Sequence, residues 1–238
     1  MNYMVIDKTS EKTGDWKQMA NGTKFSFSVT YILLLTTATI TFIEAMRTQN
    51  PIIRHVLNLE TCISIVAGYF YSIFVNKIED SEKNKTIFGW TEITQMRYVD
   101  WCITTPMMLL TLCLVLGTNS KVPVTLSTIL SVVALNYAMI AAGYMGEMKQ
   151  IDRTVSDVVG YVAFFAMFFL IYYVFVMPRK CFDNYVLYGL YLGIWSIYGI
   201  AYMLDEENKN IIMNILDLTA KCLIGLGLWV YYTKIITL

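Results

Sequence analysis

ILDLTAKCLIG, residues 215–225, sets a lysine in the middle of an apolar run. With the last apolar span taken as 211–236, Lys221 lies about ten residues, or about 15 Å of helix, from the nearer end. A lysine stem of about 6 Å cannot snorkel that far. A charge near the centre of a bilayer costs at least about 2.5–3.5 kcal/mol on insertion scales, so such a residue marks a functional site with a specific partner. One candidate partner, Asp217, stands one turn earlier.

The surrounding composition makes the bilayer the relevant solvent. The chain has 238 residues, is 56% hydrophobic, and carries 18 basic and 18 acidic side chains, for a net charge of zero. Its mean hydropathy is +0.52. That balance excludes a disordered chain or a nucleic-acid binder. Apolar stretches long enough to cross about 30 Å of hydrocarbon run over 25–46, 51–75, 95–116, 122–145, 155–177, 184–204 and 211–236. The expected fold is an all-α membrane protein, a bundle of seven transmembrane helices over 25–238 preceded by a polar tail at 1–24.

The tail begins MNYMVIDKTSEKTGDW and lacks the basic start, short apolar core and cleavage site of a secretory signal. The first span is therefore expected to direct insertion itself, leaving the mature chain full length. Four of the five cysteines, Cys62, Cys102, Cys113 and Cys222, fall within spans and Cys181 in a short loop, a distribution that implies no disulfide framework. No metal-ligand set is expected either. With the N-terminus outside, the inner loops carry Arg47, Arg54, Lys121, Arg179, Lys180 and Lys234, six basic residues against ten on the outer side. That count opposes the positive-inside rule, so charge alone does not set the orientation.

The segment NKIEDSEKNKTIFGW, 76–90, is the longest expected connection, with its lysines and acids in solvent. Pro51 and Pro123 stand where spans two and four begin, and Pro178 ends the fifth. Pro106 alone falls inside a span, where it removes a helical hydrogen bond and makes room for a bend or a water.

The third span reads TQMRYVDWCITTPMMLLTLCLVLG, and Arg97, Asp100 and Thr104 share one helical face. Inserted charges persist when they pair. Asp100 with Asp217 would balance Arg97 with a charged Lys221, a quadrupole of two cations and two anions. Trp101, Trp195, Tyr198, Tyr202 and Tyr69 could wall a flat apolar ligand beside it. Glu44 and Glu60 lie in the first two spans; Glu44 is near an end and can snorkel, whereas Glu60 lies deeper, where a protonated or hydrated role is expected. Asn136 adds a neutral polar group to the fourth span, and His55 reads as a surface residue.

RYVDWCITTPMMLL at 97–110 and LDLTAK at 216–221, with WSIYGIAY at 195–202 between them, resemble the microbial rhodopsin family. The fourth-span stretch NYAMIAAGYMG, 136–146, is similar to the family's ring-cradling segment through Met139 and Gly143. The resemblance covers residues 25–236 and implies that Lys221 forms a Schiff base with all-trans-retinal in the core of the bundle. It further implies that Asp100 and Asp217 are counter-ions and that Asp100 accepts the proton after photoisomerisation. Trp101 and Trp195 resemble the rings that sandwich the polyene, and Thr104, Thr105, Met108, Tyr198 and Tyr202 complete the implied pocket. Tyr69 and Tyr198 resemble hydroxyl partners of Asp217. Family orientation puts the N-terminus outside.

Departures from the family pattern carry information. Thr111 stands where pumps keep an inner carboxylic proton donor, giving Asp-Thr-Thr at 100, 104 and 111, from which slow reprotonation is expected. Gly199 stands where proline is frequent, Tyr202 replaces a tryptophan, and the fifth span offers Asp157 and Gly160 where a bulky tryptophan is often seen. Together with Glu44 and Glu60, the Asp-Thr-Thr pattern resembles the rhodopsins of large algal and protist viruses, some of which resemble light-gated cation channels.

The leading expectation is a photoreceptor, not an enzyme, that acts as a light-gated cation channel, its ion path passing Arg97, Glu44, Glu60, Tyr69, Asn136 and Thr111. An outward proton pump is the rival, since Asp100 and Arg97 are both intact. A sensor signalling through a partner comes third, and a retinal-free receptor or transporter leaves Lys221 unexplained. Expected partners are retinal, the lipid bilayer, protons or monovalent cations and other copies of the chain in a homo-oligomer, with no nucleic acid. For a viral protein the expected location is a host-cell membrane.

Overall fold

The side chain of Asn50 caps the second helix by accepting from Ile52 N at 2.9 Å and Ile53 N at 3.4 Å, while Pro51 occupies the first helical position, where no N–H is needed. Thr125 caps the fourth helix through Thr128 N, Asp152 the fifth through Thr154 N and Val155 N, and Asp205 the last through Asn208 N. These polar punctuation marks set where each apolar span begins. The computed structural model describes residues 19–233. Most of the tail, and Lys234 with the end of the last span, lie outside the described residues.

The helices are α1 (Asn21–Arg47), α2 (Pro51–Asn84), α3 (Trp90–Ser120), α4 (Leu126–Glu147), α5 (Arg153–Val176), α6 (Phe182–Tyr202) and α7 (Glu206–Thr233). No strand occurs among the described residues. Six of the helices are apolar enough along their length to cross a membrane; α6 falls short. Its five tyrosines lower its hydropathy, although Tyr188 packs against Phe168 of α5 and Tyr198 reaches Asp217 of α7. The α-helical hydrogen-bond pattern widens into π-helical turns at Tyr172–Val176 in α5 and Leu218–Leu223 in α7, the second of which contains Lys221.

The segment 76–90, expected as a loop, is helical as far as Asn84, leaving 85–89 as the connection. Its alternating charges do not break a helix; they solvate one that projects past the apolar zone and pair across helices, Lys24 with Glu82 and Lys77 with Glu92, each at 2.7 Å.

Helices in lipid gain little from hydrophobic burial, because acyl chains are as apolar as leucine, so close packing and polar bonds select the arrangement. Leu109, Leu112 and Leu116 of α3 pack with Phe168 and Phe175 of α5 and Trp195 of α6 in the main core. The buried Asn184 side chain ties three helices there, donating to Leu116 O at 3.0 Å and Phe175 O at 3.3 Å and accepting from Asn119 Nδ2 at 3.0 Å. Pro106 frees the carbonyl of Cys102, four residues earlier in α3, and the Tyr137 hydroxyl donates to it at 3.1 Å. The released acceptor is thus used to join α3 to α4.

Candidate functional site

Every fourth or third residue on the inner face of α7 is polar: Glu206, Asn210, Asn214, Asp217 and Lys221. Burying that face forces each group to find a partner. Lys221, 1% exposed, places Nζ 2.7 Å from Asp100 Oδ2 and 3.5 Å from Asp217 Oδ2. Arg97, one turn before Asp100 on α3, reaches Asp217 rather than its own neighbour, with Nη1 3.3 Å from Asp217 Oδ2. Nη1 also donates to the Tyr71 oxygen at 3.0 Å and Nη2 to Asn214 Oδ1 at 2.7 Å and Asn210 Oδ1 at 3.1 Å, while Nε has no partner among the described residues. Phe27, Tyr71 and Phe74 surround the guanidinium with ring centroids 5.5–5.8 Å away.

The two carboxylates are not equivalent. Asp217 accepts from Tyr198 OH at 2.6 Å, Tyr71 OH at 2.9 Å and Trp101 Nε1 at 3.4 Å, in addition to Arg97. Asp100 Oδ2 receives only Lys221, and Asp100 Oδ1 has no hydrogen-bond partner among the described residues. Four buried charges, two of each sign, therefore neutralise one another while one oxygen is left free.

Beside this cluster a chamber of about 120 Å³ is bounded by α3 to α7. Trp101, Thr105, Met108, Met139, Gly143, Trp195, Tyr198 and Tyr202 line it together with Asp217 and Lys221. Gly143 is needed where it stands, because an added Cβ would come within 2.6 Å of the Tyr98 hydroxyl. Thr104 does not line the chamber: it is fully buried and donates to Asp100 O at 2.9 Å, supporting the helix that carries Asp100. Thr105 donates to Trp101 O at 2.7 Å and accepts from Asn136 Nδ2 at 2.8 Å.

Tyr69 requires correction. It is 63% exposed on the outer face of α2, and Tyr71 is the hydroxyl that meets Asp217. At about 100° per residue, Tyr71 falls within about 20° of the buried Glu60 around the helix, whereas Tyr69 falls about 180° away. Glu60 is buried on the far side of Lys221 from Arg97, with its Oε2 against Gly225 of α7, where an added Cβ would come within 2.8 Å. Thr111 faces the Glu60 carboxyl without a hydrogen bond of normal geometry, and the hydroxyls of Thr111, Thr37 and Ser64 and Glu60 Oε1 are all unpaired among the described residues. Glu44 lies apart, 3.6 Å from Arg47 at the end of α1. His55 is exposed.

Sequence reasoning missed Tyr71, Asn210, Asn214 and a second buried ion cluster. Lys209, 1% exposed, lies 3.0 Å from both carboxylate oxygens of Glu147 on α4 and 2.8 Å from Glu206 Oε1. The asparagines had a signal, their spacing on the Asp217 face of α7; the Lys209–Glu147 pair had none, because its members are 62 residues apart.

Lys221 in the wall of an aromatic chamber, with a carboxylate at 2.7 Å, fits an apolar aldehyde bound through its nitrogen. Comparison with known proteins agrees. The sequence profile of the family described as bacteriorhodopsin-like protein matches residues 21–235. Bacteriorhodopsin of Halobacterium salinarum is 23% identical over 205 residues, 78% of this chain and 74% of that protein. Bacteriorhodopsin-II of Haloarcula marismortui is 26% identical over 173 residues, 59% of this chain, and the match spans 63% of that protein's length. The crystal structure of viral rhodopsin OLPVRII superimposes with a TM-score of 0.84 at 40% identity, covering 90% of this chain and 99% of that one. The light-driven proton pump of Coccomyxa subellipsoidea, at 19% identity and a TM-score of 0.71 over 89% of this chain and 97% of that one, shares the fold. The chain belongs to the bacteriorhodopsin-like family of microbial rhodopsins, seven-helix membrane proteins that bind retinal and act as photoreceptors or light-driven ion transporters.

Proposed function

We propose that this protein is a light-driven proton transporter, moving protons outward across the membrane in which it sits, with its N-terminus outside and all-trans-retinal as its cofactor. Retinal joined to the Lys221 nitrogen would supply light absorption and a change of shape that alters the position of that nitrogen. The unequal saturation of the two carboxylates carries the reading. Four donors converge on Asp217, so protonating it would cost several charge-assisted bonds. Asp100 has a free oxygen and stands 2.7 Å from Lys221, so Asp100 is the group that takes a proton from the lysine nitrogen.

Arg97, Asn210 and Asn214 carry the polar path from there toward the start of α7. On the other side, Glu60 returns the proton. Thr111 cannot hold a carboxylic proton, but it faces one on α2, and the unpaired hydroxyls of Thr37, Ser64 and Thr111 are groups to which water can bond between Glu60 and Lys221. Similarity to a viral rhodopsin supports a host-cell membrane as the location.

Light-gated cation conduction is the second reading. It is favoured by the same unpaired hydroxyls, which could hydrate an ion passing among α1, α2, α3 and α7. Photocurrent recorded under voltage clamp separates the two. Pumping predicts an outward current at every voltage, abolished by Asp100→Asn; a current that reverses, with a reversal potential that follows the cation gradient, would replace pumping with a channel.

A further inference from the structure

The polar character of the chamber does not end at Lys221. Away from Lys221 the wall is formed by α3, α4, α5 and α6 and includes the polar residues Tyr98, Ser156, Asp157 and Tyr202. A retinoid tethered at Lys221 brings its ring to this end, and the ring of retinal is hydrocarbon. Two of these groups are already engaged: Ser156 donates to Ala142 O at 2.6 Å and lies 3.1 Å from the Tyr202 hydroxyl, which is 3.3 Å from Gly143 O.

The other two are not. Tyr98 is 6% exposed, and its hydroxyl has no hydrogen-bond partner among the described residues, although Gly143 leaves the space in which that hydroxyl sits. Asp157, part-buried, has no hydrogen bond among them either; Arg153, one turn earlier, lies near enough to act on its charge but directs Nη2 to Tyr202 O and Leu204 O, with Nη2 also 3.7 Å from Glu147. One free O–H donor and one free carboxylate acceptor thus border the same end of the chamber. A hydroxyl satisfies both at once, accepting from Tyr98 and donating to Asp157, whereas a ring carbonyl could only accept. Against plain hydrocarbon the Tyr98 hydroxyl would gain no partner, and the part-exposed Asp157 only what reaches it from outside the chamber. Gly160 and Asp157, in place of a bulky side chain, leave the room that an extra oxygen needs.

We propose that the chamber prefers a retinal whose ring bears a hydroxyl group, with Tyr98 and Asp157 as the residues that recognise it. The inference rests on the retinal-binding reading and concerns only the ring end of that site.

Competition tests it. Full-length protein made without chromophore is offered equimolar all-trans-retinal and all-trans-3-hydroxyretinal, and in a second series all-trans-retinal and all-trans-4-hydroxyretinal. The bound aldehyde is released as its oxime and its composition measured by chromatography. The expected result is several-fold enrichment of one hydroxylated form, falling toward parity in Asp157→Leu and in Tyr98→Phe. The ratio is read on whatever fraction of each variant takes up chromophore, so reduced yield does not obscure it. Parity in both series for the unaltered protein, or an enrichment that neither substitution lowers, would overturn the proposal while leaving retinal binding intact. Failure to take up any of the three aldehydes would overturn retinal binding itself and this inference with it.

Discussion

Asp100 and Lys221 meet at 2.7 Å in a site where neither is more than 1% exposed, and the second oxygen of Asp100 has no partner among the described residues. The pair is poised for transfer, because one partner can change its bonding without breaking any other contact. Asp217 is built the opposite way. Asp100→Asn should keep the fold, shift the visible band to longer wavelength and abolish transport, and acidifying the unaltered protein should reproduce the shift. Asp217→Ala should instead lower stability by about 3–5 kcal/mol, since Arg97 would stay buried without its carboxylate. Absorbance and thermal unfolding of the two variants decide between these roles; equal behaviour would mean that the carboxylates share one function.

Colour itself depends on one nitrogen. Expressed protein should be colourless without retinal and coloured with it, and Lys221→Ala should remain colourless after retinal is added and washed away. A visible band surviving in that variant would remove Lys221 from the site.

Tyr71 and Tyr69 offer a matched pair on α2. Tyr71→Phe deletes a hydroxyl that lies 2.9 Å from Asp217 Oδ2 and from Asn214 Oδ1 and 3.0 Å from Arg97, and should cost about 1–3 kcal/mol with a spectral shift. Tyr69→Phe changes a ring on the outer face and should leave both the spectrum and the unfolding temperature unmoved. A spectral response to Tyr69→Phe would argue against an α2 phase that turns Tyr69 outward.

That pair also shows how much a single chain discloses. Lys221, Asp100, Asp217 and Arg97 were legible because a charge inside an apolar span is costly, and the cost identifies it wherever the helix points. A tyrosine is tolerated on either face, so choosing between Tyr69 and Tyr71 required the phase of α2, which Glu60 could have supplied through its helical offset. The overlength of α2 was hidden for another reason: alternating lysines and acids look the same on a solvated helix as in a loop. Lys209 carries no signal in the sequence, because its partner Glu147 arrives from the far end of α4.

Lys209, a buried cation that the transfer path does not use, should contribute to stability. Lys209→Met leaves Glu147 buried, though Arg153 remains 3.7 Å away, so the loss should sit near about 3 kcal/mol, the low end for a broken buried pair. Adding Glu147→Gln should recover part of that loss, a coupling that a double-mutant cycle measures directly. Simple additivity would mean that the pair contributes nothing as a pair.

Glu60 decides how the cycle closes. If its carboxyl resupplies the Lys221 nitrogen, recovery of the dark spectrum after a flash should vary little with pH in the unaltered protein, because the donor is internal. Glu60→Gln removes that proton, so the nitrogen must wait for one from bulk water; recovery should slow and fall about tenfold for each unit rise in pH, following proton concentration. Thr111→Asp places a carboxylate beside the missing one, since Thr111 faces the Glu60 side chain, and in the Glu60→Gln background it should restore speed and flatten the pH profile. Glu44→Gln should do neither, because Glu44 pairs with Arg47 at the end of α1. Recovery in Glu60→Gln that stays fast and pH-independent would show that the proton returns by another route. A fall in cation conductance with recovery unchanged would assign Glu60 to an ion path instead.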